Sequence, residues 1–392
     1  MNKINYIPHP AQRLNTLGEF YFSVKLEEIR KMNARGENVL NLGIGSPDLP
    51  PHPEVIKALT ETAVLPTSHG YQGYKGIPEL RAAIGRFYDR NYKVLLDADT
   101  EILPLMGSKE GIIHLSMAYL NPGDEVLIPD PGYATYTAAA KLCGATTRTY
   151  ALNEYNDFQP DFDALDDTDI SKVKIMWVNY PHMPTGTSAN KKTFEKLVEF
   201  ATKNNIVLAH DNPYSFILND NPQSLMAVEG AKDIAIELNS LSKSHNMAGW
   251  RVGMAVGNTD ILSKMLLVKS NMDSGMFLGL QKAAVVALDL PNSWFTDLNK
   301  EYTARRKKVE AIFNLLKCEI TPNQTGMFVW AKAPNGDLSA EALGDKILQE
   351  AKVFITPGKI FGATGERYLR ISLCSTEENL DAALERIKTS LA

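Results

Sequence analysis

A lysine set among small hydroxyl residues is the first place in this chain where side-chain types point to chemistry. In Ser240-Leu-Ser-Lys-Ser-His-Asn-Met-Ala-Gly-Trp-Arg-Val-Gly253, Lys243 follows an apolar run. Arg251 stands eight positions later, between Gly249 and Gly253. A lone lysine ordinarily sits on a solvated surface. One kept near a second cation in desolvating surroundings holds its proton less tightly and becomes an amine nucleophile. Ser240, Ser242 and Arg251 offer donors suited to a phosphate. An amine able to form a Schiff base beside a phosphate site describes the binding of pyridoxal phosphate.

The elements around these residues read as alternating strands and helices. Glu125–Ile128, Lys174–Asn179, Ile206–Ala209, Ile234–Leu238 and Val252–Val256 are short apolar runs, several of them closed by proline or glycine turns. Phe194–Asn204 repeats apolar residues at helical spacing. Strands separated by helices imply βαβ units and a parallel sheet, with the site outside the carboxyl ends of the strands. Past about residue 292 the texture changes. Trp294–Leu316 is one long charged helical pattern. Met327–Ala331, Val353–Thr356 and Tyr368–Leu373 are short strands in a smaller α+β unit. Phe22–Arg35 reads as a helix and Val39–Leu42 as a strand. This head is too short to fold alone and is expected to pack on the tail.

The lysine segment resembles the lysine signature of the class I/II aminotransferases, the fold-type I enzymes that use pyridoxal phosphate. Lys269-Ser-Asn-Met-Asp-Ser-Gly-Met-Phe277, followed by Gln281, resembles the corresponding stretch of the LL-diaminopimelate aminotransferase-like branch. Other segments can be held against the same family. His210-Asp-Asn-Pro-Tyr214 resembles its D-x-x-Y. Asp211 is thereby implied as the partner of the pyridine nitrogen, and Tyr214 as a donor to the phenolic oxygen O3′. Alone, this segment would read as a turn. Met106-Gly-Ser-Lys-Glu-Gly-Ile112 resembles the phosphate cradle at a helix start, with Gly107, Ser108 and Lys109 at the matching positions. Pro131-Gly-Tyr-Ala-Thr-Tyr136 resembles P-x-Y-x-x-Y, which implies that Tyr133 stacks on the cofactor ring.

Tyr71, in Tyr71-Gln-Gly-Tyr-Lys-Gly-Ile-Pro, matches the tyrosine that reaches the phosphate of a neighbouring subunit, so the resemblance implies a homodimer. Ile44 and Gly45, in Asn41-Leu-Gly-Ile-Gly-Ser-Pro-Asp48, match the substrate loop. Arg370, in Tyr368-Leu-Arg-Ile-Ser372, matches the clamp on the substrate α-carboxylate, a task for which a guanidinium fork is better suited than an ammonium. Lys269, in Lys269-Ser-Asn-Met-Asp-Ser-Gly, stands near where aspartate-specific relatives carry an arginine for a distal carboxylate. The resemblance thus implies a longer or broader substrate than aspartate.

One position departs from the pattern. The family's N-P-x-N-P-T-G is Asn179-Tyr-Pro-His-Met-Pro-Thr-Gly186 here, so Met183 replaces an asparagine that donates to O3′. A thioether cannot donate. Tyr214 is left as the main O3′ donor unless His182 or Asn179 turns inward. The link between lysine and cofactor should then hold its proton to higher pH than in relatives with the asparagine.

The implied fold is α/β: a large domain, 46–290, with a mostly parallel sheet between helices, and a smaller α+β domain from 1–45 and 291–392. The implied activity is ping-pong transfer of an α-amino group between an L-amino acid and a 2-oxo acid. The alternatives are a C–S β-lyase or other chemistry of the same fold and, from another class, a non-catalytic binding or regulatory protein. A regulator of that kind usually carries a DNA-binding segment, and the short head has no room for one.

Composition narrows the rest. The chain has 392 residues, about two to three domains' worth. Forty-one basic residues against 46 acidic ones, a net charge of −5, argue against a nucleic-acid partner or a polybasic membrane anchor. No apolar run reaches membrane-spanning length. Cys143, Cys318 and Cys374 are widely spaced, without metal-ligand spacing, and read as reduced thiols. With no apolar stretch in Met1–Leu14, the expected location is the cytoplasm. The seven histidines form no H-E-x-x-H, and there is no G-x-S-x-G or GxxxxGK[ST]. Gly43-Ile-Gly45 lacks the third glycine of a dinucleotide loop.

Overall fold

The computed structural model describes residues 9–18 and 21–391. The opening residues of the expected small domain, 1–8, together with 19–20 and 392, lie outside the described residues.

Its centre is a seven-stranded sheet in the order Ile102–Leu105, Gly253–Gly257, Ala235–Ser240, Val207–Asp211, Val173–Asn179, Glu125–Asp130, Thr146–Ala151. All strands run parallel except Gly253–Gly257, which is antiparallel to both neighbours. The strand Val207–Asp211 is buried throughout, as a parallel strand covered on both faces must be. Alternation divides its side chains. Val207 and Ala209 face the core beneath helices Ser108–Tyr119 and Ala134–Leu142. Leu208 faces the core that includes Phe87, Tyr88 and Phe194.

Two expectations about strand ends are corrected. The strand expected to stop at Ile128 continues through Pro129 to Asp130. Beyond Leu127 it pairs on one side only, with Thr146–Ala151, so a residue lacking an N–H is tolerated there. The strand expected to end at Ala209 continues to Asp211, which places Asp211 in the ladder opposite Asn179. Two strands of the sheet escaped the sequence reading. Ile102–Leu105 contains Pro104, and Thr146–Ala151 is half-exposed and polar; both are edge strands, where the apolar signal is weakest.

A second, antiparallel sheet has the order Thr356–Pro357, Tyr368–Ser372, Phe328–Lys332, Glu319–Ile320. Leu40–Asn41 pairs in parallel with Val353–Phe354, which ties head to tail. Arg305, on the long helix Ser293–Leu315, grips Asp48 with two hydrogen bonds of 2.6 and 2.9 Å and bonds the Leu373 carbonyl. Among the described residues no helix is long and apolar enough to cross a membrane.

Candidate active site

The carboxyl ends of the parallel strands open into a cavity of about 910 Å³. Lining it are Ile44, Gly45, Ser108, Lys109, Tyr133, Asn179, Met183, Asp211, Tyr214, Ser240, Ser242, Lys243, Arg251 and Arg370. Residues from the head, the large sheet and the tail thus meet in one place.

At one end the groups suit an anion. Helix Ser108–Tyr119 begins here, directing its free backbone N–H groups outward. Gly107 caps it at φ 86°, and a Cβ there would lie 2.1 Å from Arg251 Nη2. Glycine therefore gives the guanidinium its place. Arg251 Nη1 also donates to the Ala248 carbonyl at 2.9 Å and reaches Ser242 Oγ at 3.4 Å. The Ser240 and Ser242 hydroxyls are 2.8 Å apart.

In the middle, Asp211 is buried. One carboxylate oxygen accepts from Tyr136 at 3.0 Å, and the other has no partner among the described residues. Burial pushes its carboxyl up to about 6, against the opposing pull of the Tyr136 hydrogen bond and of His210. An ionised carboxylate with one open oxygen in a cavity wall is matched to a cationic N–H. The protonated ring nitrogen of pyridoxal phosphate is such a group, so the residues present fit that cofactor. Tyr133 lies edge-on to Tyr136, their ring centroids 5.7 Å apart, and Tyr136 stacks on Trp177 at 4.8 Å. Tyr136, missed in the sequence, was legible in principle: it lies three residues past Tyr133, on the same helix face.

Lys243 is half-buried, and its ammonium bonds the Gly45 carbonyl. Burial lowers its affinity for a proton, and Arg370 and Arg251 lower it further, while Cys374 acts in the opposite sense. Glycine at 45 lets this loop pass close against Phe328, since a Cβ there would sit 2.3 Å from Phe328 Cζ.

At the far end Arg370 is held between aromatic rings, 3.9 Å from the Phe328 centroid and 4.5 Å from that of Phe361. Its Nη2 donates to the Gly43 carbonyl at 2.7 Å, Nη1 lies 3.2 Å from Met183 Sδ, and Nε is buried without a partner. Burial lowers its pKa to about 9. Phe328, Phe361 and the Gly43 carbonyl carried no sequence signal as its holders, because they are distant in the chain. The outer wall of the cavity includes Thr16, Leu17, Tyr21, Phe22 and Ile360.

The two candidate donors beside Met183, Asn179 and His182, have partners of their own. Asn179 Nδ2 donates to the Asp211 carbonyl at 2.6 Å, and its Oδ1 accepts from Met183 N at 2.7 Å. His182 faces Thr185 at 2.9 Å and does not line the cavity. Tyr214 does line it, and burial raises its phenol well above the ordinary value.

Two residues named from the sequence stand elsewhere. Lys269 does not line the cavity, which corrects its expected substrate contact. It is 2% exposed, ion-paired with Asp273 and 3.9 Å from Glu110. It ends helix Thr259–Lys269, which packs on helix Ser108–Tyr119, so its side chain is taken up in the seam between the two. Tyr71 is 93% exposed and also absent from this chain's own cavity lining.

The model of the family Aminotransferase class I and II matches residues 37–387. An LL-diaminopimelate aminotransferase of Oleidesulfovibrio alaskensis is 41% identical over 381 residues, covering 96% of this chain and 98% of the relative. One from Aquifex aeolicus is 40% identical over 380 residues, covering 96% and 98%. The substrate-bound BacF structure from Bacillus subtilis superposes with a TM-score of 0.92 at 35% identity, covering 98% of each chain. The chain therefore belongs to the class I and II aminotransferases, pyridoxal-phosphate enzymes of fold type I that move an amino group between an amino acid and a 2-oxo acid.

Proposed function

We propose that this cavity is where amino transfer occurs, with Lys243, Asp211 and Arg370 as its three principal groups. The observation that carries this reading is their convergence: a weakly basic amine, a carboxylate with one open oxygen and a buried guanidinium line one cavity. Pyridoxal phosphate, when bound, supplies the electron sink and carries the amino group between the half-reactions. Lys243 would hold it and would then serve as the base that takes the proton from the substrate Cα and as the acid that returns it. Asp211 keeps the ring nitrogen protonated. Tyr214 would hold the ring's phenolic oxygen, and Tyr133 would hold the ring itself. Gly107, Ser108, Lys109, Ser240, Ser242 and Arg251 receive the phosphate. Arg370 orients the α-carboxylate, and Ile44 and Gly45 line the substrate side.

We propose a homodimer in which Tyr71 completes the partner's phosphate site. Its exposure, and that of nearby Val64, Leu65 and Tyr74, supports a covered face. We further propose that 1–45 and 291–392 act as one small domain against 46–290, closing over the substrate, and that the enzyme is cytoplasmic, with a biosynthetic role. The three unpaired cysteines suit a reducing compartment. The amino donor we propose is a long amino acid of the LL-diaminopimelate kind, supported by the relatives' names and by the size of the cavity.

A donor panel tests this. LL-diaminopimelate, glutamate, aspartate and phenylalanine are each offered with 2-oxoglutarate or pyruvate, and product oxo acids are measured. Oxo-acid-dependent transfer with LL-diaminopimelate as the best donor is expected. Release of pyruvate and ammonia from cystathionine without an acceptor would instead favour the lyase reading.

Met183→Asn restores a donor near O3′ and so favours the deprotonated form of the bound cofactor. The midpoint of its absorbance titration is expected to fall by about one pH unit, the worth of one hydrogen bond to an anion. An unchanged midpoint would show that position 183 does not reach O3′.

A further inference from the structure

The carboxylate clamp and the cofactor residues stand on different parts of the fold, and one side chain ties the two parts together. Asp130 ends the strand Glu125–Asp130 of the large sheet, three residues before Tyr133. Its own carbonyl accepts from Leu152 N at 2.7 Å, which fixes its backbone to the chain just past the neighbouring strand. Its side chain reaches across to the tail. Oδ1 accepts from Thr364 N at 3.0 Å and from Thr364 Oγ1 at 2.7 Å, and Oδ2 accepts from Ala363 N at 3.2 Å. A further bond runs beside these, from Gly132 N to the Phe361 carbonyl at 2.7 Å. Backbone N–H groups can only donate, so the sense of these bonds is set by covalent structure.

The segment held this way carries one wall of the clamp. Phe361 and Gly362 directly precede Ala363 and Thr364, and the Phe361 ring centroid lies 4.5 Å from the Arg370 guanidinium. Gly362 has φ 144°, and a Cβ there would lie 2.1 Å from Asp130 Oδ1, so glycine lets the segment close on the carboxylate. Phe328, the other wall, lies on the strand paired with that of Arg370. The tail thus builds much of the slot from its own residues. Where the slot stands relative to the large sheet is a separate matter. Met183 also approaches Arg370 from that side, but a thioether is a weak acceptor. Amino transfer needs this placement, because the α-carboxylate and the reacting amine belong to one carbon, and the clamp must stand at a fixed place relative to Lys243. Asp130, Phe361 and Gly362 line the same cavity as Lys243 and Arg370.

We propose that Asp130 is a positioning residue that fixes the Phe361 wall of the carboxylate clamp against the cofactor half of the site. It acts through Phe361 and Arg370, not on the reacting atoms. Its side chain is partly exposed, so its removal leaves donors that water can satisfy, and the fold should survive. What is lost is the register between Phe361 and Tyr133. This rests on the reading of Arg370 as the holder of the α-carboxylate.

The test uses the holoenzyme and two donors: LL-diaminopimelate, and cadaverine, the same diamine without its carboxylates. Asp130→Ala is expected to lower kcat/KM for LL-diaminopimelate by about tenfold, part of what misplacing a reacting group by about 1 Å can cost. Cadaverine should react at the same slow rate in both proteins, with cofactor absorbance unchanged. In the Arg370→Lys background the same change should cost nothing further. Amide hydrogen exchange over Gly358–Phe361 and Ala363–Gly365 should rise in Asp130→Ala, while that of Val207–Asp211 stays as it was. Thr364→Val removes the hydroxyl bond to Asp130 and leaves Asp130 in place. It should lower the preference for LL-diaminopimelate over cadaverine by about threefold. Equal losses for both donors would make Asp130 merely structural and overturn the proposal. So would a full loss in the Arg370→Lys background, or exchange that does not rise. If Arg370→Lys alone kept the preference for LL-diaminopimelate, the reading of Arg370 itself would fail.

Discussion

Lys243→Ala is expected to lower amino transfer by about 10⁴-fold, the upper range for loss of a positioned acid–base group, and by more if the covalent link also accelerates the reaction. The fold should survive. The side chain is half-buried, and among the described residues its one hydrogen bond is to the Gly45 carbonyl. Cofactor binding should persist through the Asp211 end and the Arg251 end of the cavity, since neither depends on the amine. The measurement is twofold. Absorbance of the purified variant reports whether cofactor is held, and stopped-flow mixing with an amino donor reports whether the proton moves. Full turnover in the variant would remove Lys243 from the chemistry and with it the whole assignment of the cavity. A small added amine should restore part of the rate, because what is missing is a base at a defined place.

Arg370→Lys is the second large effect. The charge remains, but the fork does not. Arg370 sits between Phe328 and Phe361 with one nitrogen on the Gly43 carbonyl, so its plane is set before any substrate arrives. An ammonium can neither stack in that slot nor offer two parallel N–H groups. Loss of one charge-assisted hydrogen bond predicts a fall of about 100-fold in kcat/KM for an α-amino acid. The decisive comparison is with the corresponding amine lacking the carboxylate. That substrate should react equally slowly with both proteins, so discrimination between acid and amine should collapse in the variant. If discrimination were kept, the carboxylate would be bound elsewhere. Cofactor absorbance, unchanged between the two proteins, would show that the slot tolerates lysine.

Asp211 and Ser240 were legible because each follows an apolar run that local pattern reveals, whereas Gly107 follows the strand Ile102–Leu105, which that pattern missed, and was found through the family resemblance. Asp211 and Ser240 end strands of the large sheet, and Gly107 opens a helix directly after one. Parallel strands bring their carboxyl ends to one edge, which gathers the side chains that the family resemblance singled out. Lys269 shows the limit. The family resemblance placed it near the substrate. Its direction depends on a helix–helix seam in which Asp273 and Glu110 await it, and no local pattern carries that. Pro129 is similar: whether proline ends a strand depends on how many neighbours remain there.

The amino-acid sequence by itself determined which chemistry is available here: an amine among small hydroxyl residues and, through resemblance to one family's motifs, a lone carboxylate, a phosphate-binding helix start and a guanidinium. Tertiary structure decided what state those groups are in. Tyr136 takes one oxygen of Asp211 and leaves the other open. Phe328 and Phe361, far apart in the chain, hold Arg370. Burial, orientation and charge state arise from contacts between distant segments, and local spacing carries no information about them.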